Sequence, residues 1–123
     1  MKKVSIKTGM LATELGYRNY NDMWVFKTEN GSLYGTNTKG GMSGKEKTFQ
    51  QPTQTELQTW LRKKYKIEVY VTPVWEYDCS GYRPWIDGIG NYIIQDKKSY
   101  EQAMESGLKV ALDFINNRNK YVK

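Results

Sequence analysis

Two amphipathic helix patterns with an alternating segment between them constrain this fold more than any other feature of the sequence. The first pattern opens with Thr53 and Glu56 at capping-box spacing, and the second opens with Ser99 and Gln102 in the same relation. Between them, from Ile67 to Tyr77, apolar residues recur at every second position, as in a half-buried strand. A chain in which helical periods flank a period of two is expected to form an α+β fold.

Each helix pattern carries one continuous apolar stripe. The stripe of the first helix consists of Leu57, Trp60, Leu61 and Tyr65. The stripe of the second helix consists of Tyr100, Met104, Leu108, Ala111, Leu112 and Ile115. Gly107 lies beside the second stripe, and we expect it to let a sheet approach closely, since an interior glycine otherwise costs a helix about 1 kcal/mol relative to alanine.

The alternating segment predicts the first strand of a three-stranded antiparallel meander. Its apolar face, Ile67, Val69, Val71, Pro73, Trp75 and Tyr77, is expected to meet the helices. Pro73 cannot donate to a strand ladder, so this part of the strand should lie at an edge or a bulge. The triplet "CSG" at 79–81 and the stretch "GIGN" at 88–91 predict the two turns that complete the meander.

The N-terminal part predicts a short helix followed by a hairpin. "TGMLATELGY" is expected to form a helix capped by Thr8 and stopped by Gly16. Asn30-Gly31 between two apolar runs predicts a hairpin from Met23 to Thr36. The whole chain, 1–123, is therefore expected to be a single compact domain: an antiparallel sheet made of hairpin and meander, with about three helices packed mainly on one face.

A glycine- and lysine-rich loop is predicted at 36–52, and the overlapping stretch "GTNTKGGMSGKEKT" at 35–48 holds the basic residues Lys39, Lys45 and Lys47. It is not a nucleotide-hydrolysing phosphate loop, because Gly40 is one residue too close to Gly44-Lys45 and Glu46 replaces the required hydroxyl. Exposed amides and three ammonium groups could still wrap an anion. The alternative is a flexible connector.

The charge balance points to an anionic partner. Nineteen Lys and Arg against thirteen Asp and Glu give a formal charge of +6 and a pI near 9.3. Nucleic acid, a nucleotide, an acidic protein surface or anionic lipid would suit such a chain. A charge of this size also serves solubility alone.

Several catalytic chemistries are excluded by composition. The chain has no histidine, so it offers no Ser-His or Cys-His pair, no histidine base and no histidine metal ligand. Cys79 is the single cysteine and is interpreted as an incidental turn residue. Glu68 and Glu76 are separated by about 26 Å of strand, too far to act together. No enzyme activity, metal or cofactor is expected.

The stretch "YRPW" is the better binding signal. Arg83 and Trp85 fall on one strand face with Tyr82 opposite, and single-stranded nucleic acid or a nucleobase stacks on rings flanked by cations. The alternative is a core strand whose rings pack under the helices. The direction of Trp85 decides between the two.

The N-terminal segment and the overall hydropathy favour a cytoplasmic protein. "MKKVSIKTGML" lacks the apolar run of a secretory signal, and no segment approaches the roughly 20 apolar residues of a membrane helix. A single cysteine gives no support to an oxidising compartment. We therefore expect no membrane partner; the oligomeric state, including a homodimer, is left open.

The order of these motifs resembles a known group of proteins. "PTQTELQTWLRKKYKIEVYV", a short meander and "SYEQAMESGLKVALDFI" resemble small uncharacterised proteins encoded by phages and prophages of gut anaerobic bacteria, and "VSIKTGMLATELGY" is similar to their first helix. The resemblance covers most of the chain but lies in capping boxes and helix faces, so it implies a fold and a phage setting without an activity. The lysine loop and the "WIDGIG" turn depart from it.

Three functional hypotheses follow. The favoured one is a non-enzymatic, phage-type accessory protein that binds a nucleotide or nucleic acid, for instance to sequester it from a host defence. Lys39, Lys45 and Lys47 would supply charge, while Arg83 and Trp85 would pair and stack. The alternative is a protein-interaction module that inhibits a host protein through a sheet face or edge. A small hydrolase or nuclease is third.

Overall fold

A computed structural model describes residues 2–19, 24–27, 33–36, 48–76, 79–89 and 94–121. Within these residues the chain forms three α-helices and five β-strands in two antiparallel sheets, which confirms the predicted α+β class. The residues divide into two compact units, 3–52 and 53–123, the latter together with residues 1–2. That the chain is a single domain therefore stays a prediction.

The first unit begins with helix α1 (Ile6–Glu14). Its cap is Ser5, whose hydroxyl accepts a hydrogen bond from the backbone N–H of Thr8 at 3.2 Å. The predicted cap at Thr8 is wrong because Thr8 lies buried within the first turn, where its hydroxyl accepts a bond from Ser5 at 2.9 Å. The predicted stop at Gly16 is confirmed by its φ of 107° and by the burial of Tyr17 behind it.

A three-stranded antiparallel sheet completes this unit. Strands β1 (Trp24–Lys27), β2 (Leu33–Thr36) and β3 (Thr48–Gln50) lie in the order β2-β1-β3. The predicted hairpin is thus confirmed as β1 and β2, while its turn at Asn30-Gly31 lies outside the described residues.

Strand β3 occupies a stretch that the sequence assigned to the loop at 36–52. It forms because Phe49 and Gln50 are buried and the Gln50 backbone N–H donates to the Thr13 hydroxyl at 2.9 Å. Helix α1 approaches it closely at Gly9, where a Cβ would lie 2.7 Å from the Gln50 carbonyl oxygen. Residues 37–47 lie outside the described residues.

The second unit contains helices α2 (Gln54–Tyr65) and α3 (Tyr100–Tyr121). The capping box predicted for α2 is present, with Thr53 and Glu56 each accepting from the backbone N–H of the other at 2.9–3.2 Å. At α3, the Ser99 hydroxyl accepts from the Gln102 N–H at 3.1 Å. The buried stripe of α3 consists of Ala103, Met104, Gly107, Leu108, Ala111, Leu112 and Ile115. Tyr100, assigned to that stripe by the sequence, is instead 45% exposed.

Strands β4 (Glu68–Glu76) and β5 (Cys79–Asp87) form a two-stranded antiparallel hairpin. Its register pairs Glu76 with Cys79, so Cys79 and the rest of "CSG" belong to the strand, and the turn predicted at 79–81 is wrong. Both helices pack on this hairpin. The prediction that Gly107 allows close approach is confirmed, since a Cβ there would lie 2.7 Å from Val69 Cγ1.

The predicted third strand of the meander is not confirmed. Residues 94–96 are not part of a strand, and residues 90–93 lie outside the described residues. What remains of that pairing is a single bridge, in which the backbones of Tyr82 and Lys97 exchange two hydrogen bonds of 2.8 Å. The bridge holds Lys97 against the edge of β5. Gly88, with a φ of 103°, turns the chain out of β5 as the sequence suggested.

Candidate functional site

Trp85 points away from helix α3. Its strand neighbours Pro84 and Ile86 are buried, and α3 covers that side of the hairpin, because the Cβ of Gly107 would meet Pro84 as well as Val69. Successive strand residues face opposite sides, so Trp85 lies on the side opposite α3. Its exposed fraction is 42%, and only Tyr100 among the other large apolar side chains of the described residues is comparably exposed.

Four residues form what we call the aromatic face: Tyr70, Thr72, Arg83 and Trp85. The strand register pairs Tyr70 with Trp85 and Thr72 with Arg83. The two rings are stacked, with centroids 6.4 Å apart and planes inclined by 15°. The Trp85 Nε1–H donates to the Thr72 hydroxyl at 2.7 Å. The Tyr70 ring and the Thr72 hydroxyl therefore hold the tryptophan plane in place, and part of its surface stays exposed.

Arg83 joins this face to residue Asp96. Its guanidinium carbon lies 5.9 Å from the Trp85 ring centre. The same guanidinium donates to both carboxylate oxygens of Asp96, from Nε at 2.8 Å and from Nη2 at 3.1 Å. These bonds hold the pKa of Asp96 below its usual value. The cation beside the ring is thus already paired within the protein.

The opposite end of the aromatic face carries carboxylates. Glu68 and Asp87 are cross-strand partners in the row next to Tyr70 and Trp85. Arg62 on α2 forms a two-bonded ion pair with Glu68, and this hydrogen bonding lowers the pKa of Glu68 and raises that of Arg62. The two ion pairs described around this face leave it with stacking surface rather than surplus positive charge.

These ion pairs predict a pH dependence. The folded pKa values of Glu68 and Asp96 lie below their unfolded values, so their stabilisation is complete above about pH 5 and is lost as pH falls through the folded values. Thermal melts from neutral to acidic pH should show a decline that is shallower in the double variant Glu68→Gln, Asp96→Asn. An identical decline in both proteins would mean that neither pair contributes.

The edges of the hairpin are poor templates for an added strand. The Tyr82 backbone points out of the hairpin and bonds to Lys97. In an antiparallel pair, the cross-strand partner Pro73 and the residue two positions along β5, Pro84, therefore also direct their backbone nitrogens out of the hairpin. Proline has no N–H to offer an incoming strand. The Val69 carbonyl on the β4 edge already accepts from Gln58 Nε2 at 2.6 Å. This confirms the edge position predicted for Pro73. We therefore take the face of the hairpin, rather than its edges, as the candidate binding surface.

Of the five predicted site residues, the structure brings two together. Arg83 and Trp85 lie side by side on the aromatic face, as their spacing predicted. Lys39, Lys45 and Lys47 lie outside the described residues.

Sequence reasoning missed Tyr70, Thr72 and Asp96. The strand alternation places Tyr70 and Thr72 opposite the helix-facing side, but pairing them with Trp85 and Arg83 requires the register set by the turn after Glu76. Nothing in the local sequence around Asp96 signals that its carboxylate reaches Arg83.

Among the described residues, no helix has the length and apolarity to cross a membrane. The same part of the chain contains no group of three or more acidic or sulfur side chains placed to hold a metal ion. No known protein family matches the chain, and neither do any curated protein or solved structure.

Proposed function

We propose that this protein binds a nucleotide or single-stranded nucleic acid by stacking an unpaired base on Trp85, without catalysing a reaction. The observation that carries the proposal is the orientation of Trp85, which lies opposite α3, is partly exposed and is held by Tyr70 and Thr72. The phage setting implied by the sequence resemblance would give such a protein a role in sequestering a nucleotide or nucleic acid.

Stacking on this face requires little reorganisation. The Trp85 ring is held by its bond to Thr72 and by the parallel Tyr70 ring, so binding a base fixes few additional side-chain rotations. Base stacking on such a ring is worth about 1–3 kcal/mol per base and tolerates any base, because every base has a π face. Glu68 and Asp87 at the end of the face could accept hydrogen bonds from the amino groups of a base.

We expect the attraction of phosphate to come from positive charges outside the aromatic face. The formal charge of +6 favours a polyanion, while the ion pairs described on the face are internally balanced. We propose that Lys39, Lys45 and Lys47 supply this attraction. Lys45→Glu should then weaken binding and reduce its dependence on salt, whereas unchanged affinity would mark the segment as a connector.

The decisive test is binding of a fluorescent single-stranded oligonucleotide, followed by anisotropy. Trp85→Ala should raise the dissociation constant by a factor equivalent to about 1–3 kcal/mol, because it removes the stacking surface. Trp85→Phe should retain part of the affinity. A blunt duplex of the same sequence should compete poorly, because its bases are already stacked and paired.

Tyr100→Ala is the matched control, because it also removes an exposed ring but lies at the start of α3, where Tyr100 contacts Tyr82 edge to face. Its affinity should equal that of the unmodified protein, and the melting temperatures of all variants should be compared. Absence of binding to nucleotides and oligonucleotides would contradict the proposal, as would an affinity of Trp85→Ala equal to that of the unmodified protein.

A second candidate is a protein-interaction module that inhibits a host protein. Tryptophan, tyrosine and arginine, which meet on the aromatic face, are the residues enriched at interaction hot spots. The hairpin edges oppose strand addition, so this candidate also depends on the face. It predicts a stoichiometric host protein whose capture depends on Trp85 and survives nuclease treatment.

A further inference from the structure

We infer that Asp96 is a built-in competitor for the phosphate of the ligand, so that the aromatic face selects a base carrying a terminal phosphate over a base within a continuous strand. This inference rests on the proposed function and narrows its ligand class to a nucleotide or the phosphorylated end of an oligonucleotide. The arrangement that carries it is the two-bonded contact between Arg83 and Asp96 beside the partly exposed Trp85 ring.

Arg83 is a cation within reach of a ligand stacked on Trp85. A base and its own phosphate are one ribose apart, and the guanidinium carbon lies 5.9 Å from the ring centre. A nucleotide stacked on Trp85 can therefore bring its phosphate to the same guanidinium that Asp96 now occupies. Arginine binds carboxylate and phosphate with the same fork of donors, so the two anions compete for one group.

The competition favours the more strongly charged anion. Asp96 is tethered next to Arg83, which gives its carboxylate a high effective concentration. An internal phosphodiester carries a single negative charge, as does the carboxylate, and so gains little by replacing it. A terminal phosphate carries about −1.5 to −2 charges at neutral pH and offers three acceptor oxygens, so it gains more.

The experiment compares one oligonucleotide with and without terminal phosphates, using the full-length protein and the variants Asp96→Asn and Arg83→Gln. In the unmodified protein the phosphorylated form should bind about tenfold tighter, the size of one charge-assisted hydrogen bond. Asp96→Asn should tighten binding of the unphosphorylated form, so that the preference falls toward one. A nucleoside 5′-monophosphate and its nucleoside, used as competitors, tell whether a free nucleotide suffices.

Arg83→Gln distinguishes competition between Asp96 and the phosphate from a structural role of the Arg83–Asp96 ion pair. Both variants remove the attraction between opposite charges in this pair, so loss of that attraction is common to the two. Only Asp96→Asn keeps the guanidinium while removing the carboxylate that competes for it, so the two variants should change affinity in opposite directions. Equal weakening by both, or no preference for the terminal phosphate in the unmodified protein, overturns the inference.

The outcomes also separate this inference from the proposed function. If Trp85→Ala weakens binding as expected while Asp96→Asn changes nothing, the stacking proposal stands and the competitor role of Asp96 is wrong. If no nucleotide or oligonucleotide binds, both fall.

Discussion

Replacing Gly107 with leucine is expected to lower the free energy of unfolding by about 3 kcal/mol or more, the upper range of overpacking in a filled core. A Cβ at this position of α3 would lie 2.7 Å from Val69 Cγ1 and 3.4 Å from Pro84 Cβ. Val69 is buried and β-branched, so it has no alternative rotamer into which it can move freely. The helix must therefore move away from the hairpin. Urea denaturation monitored by circular dichroism measures the loss.

Lys109→Leu is the matched control for this change, because Lys109 lies exposed on the same helix. It adds the same side chain without a neighbour to displace and should change stability by no more than about 0.5 kcal/mol. Equal stability of Gly107→Leu and the unmodified protein would contradict the close packing of α3 on the hairpin.

A smaller substitution isolates the contact itself. Gly107→Ala gains about 1 kcal/mol of helix propensity but should still destabilise the unmodified protein, because its methyl group meets Val69. In a Val69→Ala background the obstructing methyl group is gone, and Gly107→Ala should become stabilising. This reversal of sign is the measurement; two losses of equal size would mean that Val69 is not the obstacle.

The part of the fold set by local signals was predictable from the sequence. The capping box at Thr53 depends on residues three apart, and the glycine stop at Gly16 depends on one turn of helix. The close approach at Gly107 also follows from a glycine beside an apolar stripe. Such features need no knowledge of what lies far away in the chain.

The candidate site was only partly predictable because it depends on register. The residues "CSG" contain the usual turn composition, yet Cys79 pairs with Glu76 and the strand continues through Gly81. With the turn misplaced, Trp85 could not be matched with Tyr70. A shift of the turn changes every cross-strand pair. Assigning Trp85 to the correct face therefore does not identify its cross-strand neighbours unless the register is also correct.

Strand β3 could not be predicted because its determinants are distant. Thr48–Gln50 is short and adjoins a glycine- and lysine-rich segment, which favours a loop by composition. The stretch becomes a strand through contacts with Thr13 and Asn19, which are remote in sequence. The buried side chain of Gln50 makes two of these contacts, both with the Asn19 backbone.

Gln50→Met is expected to destabilise the protein by about 3 kcal/mol, because buried or half-buried polar groups that lose their partners cost about 1–3 kcal/mol each. The Gln50 side chain, 2% exposed as a residue, bonds both polar groups of the Asn19 backbone. Its Oε1 accepts from the Asn19 N–H at 2.9 Å and its Nε2 donates to the Asn19 carbonyl at 2.9 Å. Methionine has a similar length but can restore neither bond.

Two measurements distinguish this loss from general loosening. Hydrogen exchange at the Asn19 amide should accelerate more than exchange in α3, since only the former loses its acceptor. Gln51→Met is the matched control: Gln51 is half-buried and makes a single such bond, from Nε2 to the Val4 carbonyl at 2.7 Å, so it should cost about 1 kcal/mol. Equal losses in the two variants would contradict the special position of Gln50.

Gln50→Glu tests the same two contacts through the pH dependence of stability. Ionised glutamate keeps an acceptor for the Asn19 N–H but faces the Asn19 carbonyl with no donor and is buried as a charge. Its folded pKa should therefore rise above the unfolded value, and the variant should regain stability relative to the unmodified protein as pH falls through that raised pKa. Protonation restores an O–H that can donate to the carbonyl, an effect that methionine cannot reproduce at any pH.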